Sequence, residues 1–169
     1  FDTSRHLALA GFYPRSVALP DRFVSWWLGA VPAGLRLVRR HRPQAIWSTY
    51  PIATAHLVAL TLHRLTGLPW IADFRDSMVE EIYPSDRLQR RMYQWIERKA
   101  VTFASRIVFT AESTRRMYRE RYPDLAAERC LLIPNGYDED DFKELLPQSA
   151  PFRDGGRPLA IRLGHVREI

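Results

Sequence analysis

The run Pro69-Trp70-Ile71-Ala72-Asp73-Phe74-Arg75-Asp76 constrains the fold of this chain more than any other feature. Its apolar part is too brief for a helix, and it ends abruptly in two carboxylates around a guanidinium. A short, unbroken apolar run of this kind reads as a strand buried on both faces of a parallel sheet. The carboxyl ends of such strands open into the crevice where open α/β sheets bind ligands. Polar groups at that end are therefore candidates for substrate contact. The pattern repeats: strands over 45–49, 70–73, 106–110 and 130–133 alternate with helices over 51–65, 86–104 and 112–122. Strands separated by helices imply right-handed crossovers and a Rossmann-like α/β fold, a parallel sheet with flanking helices.

Local signals set the helix ends. A helix begins at Asp21, a suitable N-cap, with Phe23, Trp26, Trp27 and Ala30 at i, i+3, i+4 and i+7. Pro32 removes one backbone donor, so a kink or break is expected just before it. Arg39-Arg40-His41-Arg42 then supplies positive charge where the helix dipole favours it, and Pro43 stops the helix. Gly67 terminates the 51–65 helix. Ser85 is the expected N-cap of the 86–104 helix, whose buried stripe is read as Leu88, Met92, Trp95, Ile96 and Phe103.

Composition narrows the function classes. No apolar run approaches the roughly 20 residues that cross a bilayer. The start has neither an apolar leader nor an initiator Met, so the chain is expected to be a piece of a longer protein. Cys130 is the lone cysteine, which leaves no internal disulfide or thiolate metal site and fits a reducing, cytoplasmic setting. The net charge of +6 is spread as arginines along the whole sequence, with no zinc-ligand spacing, RNP signature or basic stripe. No nucleic-acid partner is therefore expected. His56 and His63 lack a third ligand at metal spacing, and the acidic run at 138–141 lacks the Gly and terminal Glu of a calcium loop. No metal site is expected. Past Phe142 the sequence turns to linker chemistry over 143–158, and one further strand is read at 159–164.

The strand ends carry Ser48-Thr49-Tyr50, Asp73-Phe74-Arg75-Asp76, Thr110-Ala111-Glu112-Ser113 and Asn135-Gly136. Hydroxyls, carboxylates, an amide and an arginine would line one edge of a parallel sheet, with helix N-termini adding backbone donors. That is the composition of a sugar or phosphosugar site. The candidate binding residues are Asp73, Arg75 and Asp76, supported by Ser48, Thr49, Tyr50, Glu112, Ser113, Asn135 and Gly136. Simpler roles compete at each: an internal ion pair around Arg75, helix capping at Glu112 and Ser113, and a plain turn at Asn135-Gly136. Trp26 and Trp27 with Arg36, Arg39 and Arg40 form a second candidate surface, an aromatic and basic face suited to an anionic membrane.

Ile133-Pro134-Asn135-Gly136-Tyr137-Asp138 followed by Phe142 resembles the IPNG-x-D-x-x-x-F ending of the N-terminal domain in family 4 glycosyltransferases of the GT-B fold. Trp47-Ser48-Thr49-Tyr50-Pro51, Leu65-Thr66-Gly67-Leu68-Pro69-Trp70 and Ala72-Asp73-Phe74-Arg75-Asp76 are similar to a bacterial subset of that family. The resemblance covers about residues 20–142. It implies a retaining enzyme that moves a sugar from a nucleotide-sugar to a surface-polysaccharide or lipid-linked acceptor, with no bound metal or other cofactor. The N-terminal domain would hold acceptor. A C-terminal domain with an E-x7-E motif would hold most of the nucleotide-sugar. Residues 1–142 would then be a partial N-terminal domain, 143–158 the interdomain linker and 159–169 the first strand of the next domain, a fragment inactive by itself. Many family members carry His where this chain has Arg75, and Leu163-Gly164-His165 fits the usual second-domain opening poorly. A cytoplasmic protein, peripheral on the inner membrane face, is the implied setting. Two rival readings stand beside it: a nucleotide-sugar 2-epimerase, which shares the two-domain architecture, and a non-catalytic flavodoxin-like binding module.

Overall fold

A computed structural model describes residues 18–136 and the paired segments 153–154 and 157–158. The chain divides into two compact units, Phe1–Pro134 and Asn135–Ile169. In the first, helix α1 (Trp26–His41) precedes strand β1 (Ile46–Thr49), helix α2 (Ala53–Thr66), strand β2 (Trp70–Phe74) and helix α3 (Arg87–Phe103). Strand β3 (Arg106–Phe109), helix α4 (Glu112–Arg121) and strand β4 (Cys130–Leu132) complete it. In the second unit, β5 (Arg153–Asp154) pairs antiparallel with β6 (Arg157–Pro158), a short hairpin ladder inside the stretch read as linker. The strand read at 159–164 and the acidic run lie outside the described residues.

The four main strands are all parallel and lie in the order β1-β2-β3-β4, as the alternation of elements predicts. This order has a consequence that the apolar runs conceal. Successive right-handed crossovers between neighbouring strands put every connecting helix on the same face of the sheet. That face carries Trp70, Ala72, Phe74, Ile107, Phe109 and Cys130, all buried. The other carries Trp47, 55% exposed, beside half-buried Ile71 and Asp73, with Val108 buried and Leu131 exposed. The runs were read as strands buried on both faces; β3 is so buried from Ile107 to Phe109, whereas in β2 burial alternates residue by residue.

Capping explains most of the helix boundaries, and two caps come from a distance. Asp21 is not the N-cap of α1, which is Ser25, although it starts the turn that leads into the helix, accepting from the Phe23 N–H at 2.9 Å. Its carboxylate accepts from the Thr54 backbone N–H at 2.8 Å and from the Thr54 hydroxyl at 2.8 Å. It thus supplies the N-terminus of α2, whose own N-cap, Ile52, has no side-chain acceptor. Asp86, rather than Ser85, caps α3 by accepting from the Leu88 and Gln89 N–H groups. At the other end of α3, Arg129 donates to the carbonyls of Val101 and Ala104 at 2.6 and 2.5 Å, where the last turn has no basic residue of its own. Gly67 ends α2 with φ +72°, a left-handed conformation that favours glycine. Helix α1 runs on through Pro32 as one element.

The buried stripe of α3 also differs from expectation. Tyr93, Ile96, Glu97, Ala100 and Val101 face inward, whereas Leu88 is 51% and Trp95 38% exposed. Leu88, Met92, Trp95 and Phe103 form a real second stripe, but Lys99 interrupts it and lies over the Trp95 and Phe103 rings. The helix has two apolar faces, and the one holding a carboxylate is the one buried.

Candidate functional site

The carboxyl ends of β1, β2, β3 and β4 share one edge of the sheet, since all four strands run the same way. Strand pleating then divides the candidate residues between the two faces. On the open face Thr49 lies beside Asp73 in the ladder, and its hydroxyl donates to Asp73 Oδ2 at 3.1 Å. Trp47 Nε1 donates in turn to Thr49 Oγ1 at 3.1 Å. Asp73 is half-buried and keeps one carboxylate oxygen beyond this bond. Thr49 and Asp73 are thus an assembled pair at the rim.

Ser48 points the other way. It is buried beneath the helices, where its hydroxyl accepts from Trp70 Nε1 at 2.8 Å and meets His56 Nδ1 at 2.7 Å. A hydroxyl so engaged is part of the core and does not reach the rim. Tyr50 is also buried, edge-on to Tyr93 at 6.3 Å between centroids, and its backbone N–H extends the ladder by donating to Asp73 O at 3.0 Å. Burial is the main cause that raises the Tyr50 hydroxyl well above the usual phenol range, with Tyr83, Tyr93 and the Asp76 carboxylate adding to it. Tyr50 stays a neutral phenol.

Arg75 and Asp76 are exposed at the start of the 75–86 loop. The Arg75 carbonyl accepts from the Thr110 hydroxyl at 2.7 Å, which ties this loop to the end of β3. Among the described residues the ion pairs are Glu112–Arg115, Arg116–Glu120 and Glu97–Arg121, and none of these involves Asp73 or Asp76. Glu112 is committed, held 2.8 Å from Arg115 across one helical turn, and Ser113 is exposed beside it. The N-termini of α2 and α3 are taken up by Asp21 and Asp86; α4, whose N-cap is Ala111, has no side-chain cap hydrogen bond. Asn135 and Gly136 are exposed and belong to the second unit.

On the second candidate surface, Trp26 is 48% exposed, as are Leu28, Leu37, Arg36, Arg39 and Arg40 in varying degree. Trp27 instead turns toward α2, donating from Nε1 to Thr61 Oγ1 at 3.0 Å and packing against the Val31–Val58–Leu62 cluster. No helix among the described residues is long and apolar enough to cross a membrane.

Sequence reasoning missed one constellation. Glu97 is fully buried and accepts from Tyr118 Oη at 2.8 Å, Tyr122 Oη at 2.7 Å and Arg121 Nη1 at 2.8 Å. It borders a cavity of about 410 Å³ lined also by Val79, Arg90, Gln94 and Arg98. The available signal was the phase of α3: Glu97 follows Tyr93 by four residues and precedes Ala100 by three, inside the apolar stripe.

The rim therefore offers hydroxyl, carboxylate and guanidinium groups on a rigid sheet edge, a set that suits a hydroxyl-rich ligand through short polar contacts. No curated protein matches the chain. The glycosyl transferase 4-like domain matches residues 5–136, spanning every element that builds this edge, and the chain belongs to that family.

Proposed function

We propose that this chain is the acceptor-side domain of a retaining glycosyltransferase that moves a sugar from a nucleotide-sugar to a surface-polysaccharide or lipid-linked acceptor. Membership of the glycosyl transferase 4-like family supports a glycosyltransferase-type activity. The observation that carries the acceptor assignment is the Thr49–Asp73 pair at the rim, with exposed Arg75 and Asp76 one step further along the same strand end. Asp73 and Asp76 would accept from acceptor hydroxyls, and Arg75 would hold an acceptor hydroxyl or phosphate oxygen. Stabilising the oxocarbenium-like state and the departing nucleotide phosphate calls for oriented charge on the donor side. In this reading a second domain supplies it and binds most of the nucleotide-sugar, with no metal or other cofactor.

The test uses the intact protein with a panel of nucleotide-sugars, with and without an extract of lipid-linked and polysaccharide acceptors. Nucleoside diphosphate release that depends on the extract is the expected result. Epimerised nucleotide-sugar formed without any acceptor would replace this reading with a 2-epimerase. Arg75→Ala and Asp76→Asn should each lower kcat/KM for acceptor about tenfold or more, equivalent to about 1.4 kcal/mol of transition-state stabilisation. Their melting temperatures should stay near the parent's, because both side chains are exposed. A matched loss of folding and activity would make them structural.

A further inference from the structure

We propose that Glu97 is a positioning residue for the acceptor rim: through Tyr118 and Arg121 it fixes the 75–86 loop and so sets where Asp76 stands. The proposal rests on the acceptor-side reading above and deepens it.

Three donors converge on the Glu97 carboxylate, and two of them reach onward into the loop. Tyr118 Oη, which donates to Glu97 Oε2, also accepts from the Met78 backbone N–H at 3.2 Å. Arg121, which donates to Glu97 Oε1 from Nη1, donates from Nη2 to the Val79 carbonyl at 2.9 Å. The N–H of Met78 and the C=O of the next residue are thus both tied to one buried carboxylate. Burial and the adjacent Glu97 push the Tyr118 hydroxyl well above its ordinary range, so it remains a donor.

Asp76 lies between two such fixed points. On one side the Arg75 carbonyl is held by Thr110; on the other the Met78 N–H is held by Tyr118. The Met78 side chain is itself buried, and Ser77 Oγ donates to the Val79 carbonyl at 2.9 Å. Further along, Arg90 gathers the carbonyls of Glu80, Glu81, Tyr83 and Pro84. The loop is built to hold one shape. A buried charge cluster is a poor source of stability compared with apolar packing, but it does select one geometry among several. Here the geometry selected ends two residues from Asp76.

Glu97→Gln and Tyr118→Phe in the intact protein test this. Hydrogen exchange of a peptide spanning 75–84 should speed up about tenfold or more in both variants, while a peptide spanning 53–66 keeps its parent rate. In the transfer assay, acceptor KM should rise about fivefold or more, with donor KM and kcat within about twofold. If Glu97→Gln fails to fold, Tyr118→Phe carries the test, since it removes a single hydroxyl. Unchanged exchange over 75–84, or an equal rise over 53–66, would overturn the role of Glu97 in fixing the loop. Faster loop exchange with unchanged acceptor KM would overturn its role at the rim and leave the transferase reading standing. Absence of any acceptor-dependent release by the parent would overturn the acceptor assignment, with the exchange result still deciding whether Glu97 fixes the loop.

Discussion

The imidazole of His56 has no solvent contact and packs 4.8 Å from the Phe74 ring centroid, with Nε2 unpartnered. Burial lowers its pKa from 6.5 to about 3. Such a group penalises folding in acid: below pH 6.5 the unfolded chain takes up a proton that the native one refuses until about pH 3. The linked stability is intact above pH 6.5, and it declines as pH falls toward 3 with a limiting slope of about 1.4 kcal/mol per pH unit from this residue. Urea midpoints measured from pH 7 to pH 4 should fall faster in the parent than in His56→Gln, which has no proton to gain. Parallel slopes would place this proton elsewhere. The partners of His56, Ser48 and Trp70, were invisible in the sequence, because only the folded register brings β1, β2 and α2 together.

At the scale of elements, alternation and punctuation made the helices and strands legible, with ends shifted by a few residues. What could not be read was which of two apolar stripes α3 buries. Aromatic content favoured Trp95, but packing chose the face where Glu97 meets Tyr118, Arg121 and Tyr122 from α4. Distant caps were equally hidden: Asp21 starts the turn before α1, as its sequence position suggests, but it also serves α2. Asp21→Ala should cost about 1 kcal/mol in urea unfolding, as expected for a lost N-cap. A cost near zero would mean that water replaces it fully. Helix α1 also presents Trp26 and Leu37 beside Arg36 and Arg40 on its exposed side. We expect this face to rest on an anionic membrane. Intact protein should float with vesicles rich in anionic lipid, and Trp26→Ala with Arg40→Ala should reduce flotation severalfold; each charge near the surface contributes about 1 kcal/mol. Trp27→Ala is the poor choice for that experiment, because its indole is spent on Thr61.

For the whole molecule, the parallel sheet and its shared polar edge were legible because strand-helix alternation admits few other topologies. The inequality of its two faces was not, since an apolar run does not reveal on which side its crossovers pass. That inequality makes a quantitative demand. Phe74 and Phe109 stack 6.2 Å apart under the helices, both against Tyr118, and neither is exposed. Truncating either to Ala should cost about 3–5 kcal/mol, the transfer term plus the cavity it leaves. Trp47 is a larger side chain, but it is 55% exposed, with one hydrogen bond to Thr49. Trp47→Ala should cost about 2 kcal/mol or less, because the half already in water gains nothing from folding. Urea unfolding of the three variants, at matched slopes of free energy against denaturant, compares the faces directly. Equal costs for Trp47→Ala and Phe74→Ala would mean that a second layer covers the open face in solution, and Thr49 and Asp73 would then need a path to the rim beneath it.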